Sequence, residues 1–200
     1  MKQQKALLAA VFLTLSLSPH LFAASYQIDA DHTAVSFKIR HLFSNVQGIF
    51  KQFEGSFEYE PGKPEQASAQ AVIQTASINT NVEARDKHLR SEDFFDVEKF
   101  PAMTFKSTKF TEDSPESGKL EGALTIRGVE KPVTLDVQIH GAGKDPWGNT
   151  RAGFTATTKI NRKDFGLTWN KAVETGQLLV GEEVLITLEV EGILKKQEKA

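Results

Sequence analysis

Apolar residues recur at every second position in segment after segment of this chain, the period of a strand with one buried face. Val35, Phe37 and Ile39 alternate with Ser36, Lys38 and Arg40, and Phe53, Phe57 and Tyr59 alternate with Glu54, Ser56, Glu58 and Glu60. Ala69, Ala71 and Ile73 face away from Gln70 and Gln74; Met103 and Phe105 follow, ahead of a polar turn at Thr111 to Gly118. Leu120, Leu124 and Ile126 make a fifth strand, and Val133, Leu135, Val137 and Ile139 against Thr134, Asp136, Gln138 and His140 a sixth. Phe154 and Ile160 belong to a seventh, and Val184, Ile186, Leu188 and Val190 to an eighth.

Turn-forming residues separate these runs at Pro61-Gly62-Lys63-Pro64, Arg127-Gly128 and Asp145-Pro146-Trp147-Gly148-Asn149, so short links join antiparallel neighbours. The one helical stretch, Val82 to Phe94, is crowded with charge and sparse in apolar positions, which lays it over one end of the β structure. Eight half-buried strands in one domain form either a sandwich or a closed up-and-down barrel. The chain holds 14 phenylalanines, several at inward positions, which suit a wall around an apolar guest, and eight strands leave room for one small ligand. That favours the barrel. Phenylalanines packed into a solid core fit the alternation equally well, because periodicity does not see a cavity.

The first residues do not share the pattern. Lys2 and Lys5 precede an apolar run from Ala6 to Leu17 and a small-residue exit at Leu21-Phe22-Ala23-Ala24, the signature of a cleaved export signal. The run is shorter than the roughly 18 apolar residues that span a bilayer. Cleavage after Ala23, in preference to Ala24, divides the chain into a signal peptide, 1–23, and one β-barrel domain, 24–200.

Composition narrows the function. With no cysteine there is no disulfide, thiolate nucleophile or Cys-ligated metal site. Loss of Lys2 and Lys5 leaves 22 basic residues against 26 acidic, and no basic block, which argues against nucleic acid as a partner. Neither a Gly-x-Ser-x-Gly elbow nor a phosphate-binding glycine loop is present. The histidines beyond the leader, His32, His41, His88 and His140, show no metal-ligand spacing, and no metal is expected. The densest polar cluster runs from Arg85 to Asp93. On a helix it places Arg85 with His88 and Leu89 on one face and pairs Asp86 with Arg90, either as a solvated surface or as a polar rim whose Arg85, Lys87 or His88 contacts a ligand headgroup.

Several blocks in one order resemble the YceI-like family: Asp31-His32-Thr33-Ala34-Val35-Ser36-Phe37, Arg40-His41-Leu42, Arg85-Asp86-Lys87-His88-Leu89-Arg90, Phe94 to Pro101, Leu124-Thr125-Ile126-Arg127-Gly128-Val129, Lys131-Pro132-Val133 and Asp164-Phe165-Gly166-Leu167. The resemblance spans essentially the whole chain after the leader. It implies a lipocalin-like antiparallel barrel enclosing a polyisoprenoid chain, in an exported periplasmic protein with no catalytic constellation. The expected function is therefore non-catalytic carriage of a polyisoprenoid or other long amphiphile, with that lipid or a prenylquinone as the only bound group and transient contact with a bilayer or membrane protein. The alternative is a quinone-binding redox accessory to a membrane cytochrome. An enzyme acting on isoprenoids would depend on Asp86 with His88 as its acid–base pair. The expected lining is Val35, Phe37, Ile39, Phe53, Phe57, Ile73, Phe105, Leu124, Ile126, Leu135, Val137, Phe154, Ile186 and Leu188.

Overall fold

A computed structural model describes residues 24–196 apart from 173, 175 and 177; the expected signal peptide, 1–23, lies outside the described residues. The eight expected strands are present, and three of them are broken in two. β1 (Ser25–Ile28) and β2 (Ala34–His41) flank a 3-10 turn at Ala30–His32, β3 (Ser44–Phe50) and β4 (Phe53–Glu58) flank Lys51 and Gln52, and β5 (Ser68–Gln74) and β6 (Ile78–Asn79) flank a 3-10 turn at Thr75–Ser77. After helix α1 (Glu83–Arg90) come five unbroken strands: β7 (Ala102–Ser114), β8 (Ser117–Ile126), β9 (Val129–Lys144), β10 (Thr150–Asn161) and β11 (Val180–Leu194).

Every pairing is antiparallel, and the ring closes through β11. One edge of β11 pairs with β10 from Arg151↔Ile193 to Asn161↔Glu183; its other edge takes β2 at Ile186↔Phe37 and Leu188↔Val35, then β1 at Tyr26↔Leu194. The step between β1 and β2 is filled at Glu191, whose carbonyl accepts from the Asp29 N–H at 2.9 Å and from Thr33 Oγ1 at 3.2 Å. Closure excludes the sandwich; among the described strands only the two-residue β6 has a single partner, β3, and so keeps an open edge.

Two expectations of extent change. The polar stretch after Phe110 is strand as far as Ser114, with the turn confined to residues 115–116, and a bulge between Ser107 and Lys109 returns Phe110 to the inner face. The helix ends at Arg90 and not at Phe94, because the chain turns there: the Leu89 and Arg90 carbonyls accept from the N–H groups of Phe95 and Val97.

The inner face is kept open by glycine. A Cβ at Gly48 would lie 2.4 Å from the Phe37 ring, and one at Gly192 would lie 2.5 Å from the ring of Phe57. Each ring thus lies along the wall over a glycine, of the adjacent strand for Phe37 and of β11, across β1, for Phe57, and a bulkier residue there would drive the ring toward the axis.

Candidate functional site

The barrel encloses a cavity of about 600 Å³, within the size range of ligand sites. Its lower wall is aromatic and aliphatic. At the far end Phe57, Ala69, Leu120 and Phe154 form a floor shared with a second space of only about 50 Å³ beneath it. Phe57 is locked there, stacked on Tyr26 at 5.0 Å and edge-on to Phe154 at 5.1 Å. At the opposite end Val82 and Ala84 both line the cavity and are exposed to solvent, so the mouth opens beside the start of α1. His41 and Val46 of the β2–β3 hairpin and Leu179 and Val180 at the start of β11 also line the cavity.

Thirteen of the fourteen expected wall residues line this cavity; Val137 does not. It faces inward on β9, but below the floor, and lines the small space instead. Of the expected headgroup residues, Arg85 and His88 line the cavity, while Lys87 is exposed and does not. Helical geometry explains the difference: at about 100° per residue, 85 and 88 share a face and 87 stands nearly opposite 85.

The helix is fastened to the barrel by its charged residues. Asp86, 2% exposed, accepts from the Thr80 N–H at 2.9 Å and from Thr80 Oγ1 at 2.5 Å. Arg85 donates through Nε to Thr80 Oγ1 at 2.7 Å and through Nη2 to the Thr80 carbonyl at 2.8 Å. Arg90 does not pair with Asp86, contrary to expectation, because its guanidinium reaches the carbonyls of Ala76 and Ile78 at 2.9 and 3.0 Å. Asp86 and His88 do not form an acid–base pair either. The aspartate is committed to Thr80, and His88 Nε2 lies 2.9 Å from Asp93 Oδ2, with its ring edge-on to Phe94 and Trp169 at 5.0 and 4.8 Å.

Arg162 completes the wall and was missed by the motif reading. It follows Phe154, Ala156, Thr158 and Ile160 of β10 at strand period and opens the 3-10 turn Arg162–Phe165, so alternation extended past the strand assigns it to the inner face; its setting in Asn161-Arg162-Lys163-Asp164 resembles an exposed turn. It is 4% exposed, donates through Nε to the Gly181 carbonyl at 2.8 Å and through Nη1 to that of Leu167, and lines the cavity. Its Nη2 is buried without a hydrogen-bond partner, and burial pushes its pKa below the usual arginine value. Among the described residues, the ionisable side chains of the cavity wall are His41, Arg85, His88 and Arg162, all basic; no aspartate, glutamate or lysine lines it.

A second polar group lies outside the cavity. Asp29, His32 and Glu191 are close enough to share a metal ion, but the Arg151 guanidinium occupies their midst, donating to Asp29 at 2.7 Å, to Asp145 at 2.8 Å and to Glu191. That arginine holds the carboxyls of Asp29 and Asp145 below the usual carboxylate range.

Known proteins share this architecture. Residues 26–192 match the YceI-like domain. Protein YceI of Escherichia coli O157:H7 is 41% identical over 197 residues, covering 96% of this chain and 100% of its own length. The crystal structure of BcnA from Burkholderia cenocepacia superposes with a TM-score of 0.73 at 25% identity, over 82% of this chain and 98% of that one. A polyisoprenoid binding domain from Saccharophagus degradans, implicated in plant cell wall breakdown, shares the fold at a TM-score of 0.61 and 15% identity, over 86% of this chain and 99% of its own.

Proposed function

The chain belongs to the YceI-like family, and from that premise we propose that it is a periplasmic carrier that binds one polyisoprenoid or similar long-chain amphiphile inside its barrel and catalyses nothing. One observation carries the reading: a largely apolar cavity, blind at the floor of Phe57 and Phe154 and open beside α1, whose ionisable side chains, His41, Arg85, His88 and Arg162, collect toward the open end. A chain laid along such walls gains about 0.8 kcal/mol for each CH₂ removed from water, so a prenyl tail binds without polar contacts along its length. Export, read from the leader, gives the carrier an aqueous compartment to cross. The polyisoprenoid binding domain of Saccharophagus degradans, built on the same fold, supports the choice of cargo.

Trp169 provides the test. It lines the cavity against His88 and Phe94, whereas Trp147 is 80% exposed at a distant turn. Titrating delipidated protein with a polyprenol should change Trp169 fluorescence saturably at one ligand per chain, and the Trp169→Phe variant should bind without that signal. Absence of binding by fluorescence and by calorimetry contradicts the carrier reading.

A further inference from the structure

We propose that Arg162 is an anion anchor in the cavity wall, so that the natural cargo is an amphiphile with an oxyanion headgroup, held head toward α1 and tail toward Phe57. This rests on the carrier reading and narrows it.

A buried cation is costly unless a negative charge or a full set of acceptors compensates it. Arg162 has two backbone carbonyls and an unused Nη2. Glu182 attracts it from outside the wall, but that carboxylate is bound by Lys163 Nζ at 2.5 Å. The protein thus supplies the guanidinium with position and a carboxylate already shared with Lys163, and leaves one of its nitrogens without an acceptor. The rest of the wall agrees in sign. Arg85 and both histidines are basic or neutral, no acid among the described residues lines the cavity, and an oxyanion entering it meets no like charge from them.

Placement fixes the orientation. Arg162 bonds the carbonyl of Leu167, which packs in one cluster with Phe94, Phe165 and Trp169, and Phe94 and Trp169 flank His88 of α1. The floor formed by Phe57, Ala69, Leu120 and Phe154 carries no polar side chain. An oxyanion fits the first end and a prenyl tail the second. A guanidinium takes such a head through short charge-assisted hydrogen bonds, which a neutral alcohol accepts more weakly.

The test compares geranylgeranyl phosphate with geranylgeraniol, which share a tail and differ in the head. Wild-type protein should bind the phosphate about tenfold or more tightly, and Arg162→Gln should bring the two affinities together while the alcohol still binds. Because the guanidinium also ties Gly181 to Leu167, Arg162→Gln carries a risk of misfolding. A crystal structure of the wild-type phosphate complex is therefore the second readout, with a phosphate oxygen expected within hydrogen-bonding distance of Arg162 Nη2. Equal wild-type affinities, an undiminished preference in folded Arg162→Gln, or a head bound away from Arg162 overturns the anchor and leaves the carrier reading standing. Failure of both probes to bind overturns both.

Discussion

Phe154 stands where the large cavity meets the small space beneath it, with its ring against Phe57. Phe154→Ala should cost about 3 kcal/mol of stability, the usual loss for a partly collapsed aromatic cavity, and join the two spaces. The account predicts that the variant shifts preference toward longer prenols, read as the ratio of dissociation constants for a C20 and a C35 alcohol; an unchanged ratio would show that Phe154 does not limit the tail. Individual wall positions were legible because strand period assigns a face, and that placed thirteen of fourteen in the lining of the cavity. Period does not give depth along the axis, which is why Val137 came out on the inner face but beneath the floor. Lys87 and Arg162 show the complementary limit. A charge-rich motif drew attention to a residue facing water, while the alternation that named Phe154 and Ile160 extends two residues further to Arg162, which the sequence reading left unnamed.

The elements were legible wherever alternation ran unbroken, as in β9 and β11. It failed where a strand was short or carried glycine in place of an inward apolar residue. β1 has four residues and β6 two, and in β3 the inner face reads Val46, Gly48, Phe50, so the middle of the pattern is silent. Those silences have a structural use, since Gly48 makes room for the ring of Phe37. The breaks beside β2, β4 and β5 let single chain segments pair as β1–β4–β5 at the far end and as β2–β3–β6 at the end under α1. The helix itself was legible as charged and peripheral. Its pairing was not, because Asp86 and Arg90 take their hydrogen bonds from the preceding segment, at Thr80, Ala76 and Ile78, and not from each other. Asn81 connects them in a left-handed conformation, φ 63°, that turns the chain back over the barrel end.

Closure is the property of the whole molecule on which the cavity depends. The seam between β1 and β11 is short, and Arg151 fastens it by joining Asp29 after β1, Asp145 in the turn before β10 and Glu191 on β11. Because the folded state lowers the carboxyl pKa values of Asp29 and Asp145, the unfolded chain binds more protons in acid. The stability that these two groups add is fully present above the ordinary carboxylate pKa of about 4 and is lost as pH falls through their lower folded values. Urea unfolding should therefore show Arg151→Met furthest below wild type near neutrality, with the gap narrowing below about pH 4; a gap independent of pH would remove the ion cluster from the account of closure. Eight strands and short turns left sandwich and barrel both open, and the inward phenylalanines and the family resemblance pointed to the barrel; a hollow interior was not legible, since solid and hollow barrels share one alternation. The most direct test of a lipid-filled interior is mass spectrometry of an organic extract of the protein, purified without detergent. The account predicts an isoprenoid lipid at one equivalent per chain; an empty extract, together with no uptake of added polyprenol, would contradict it.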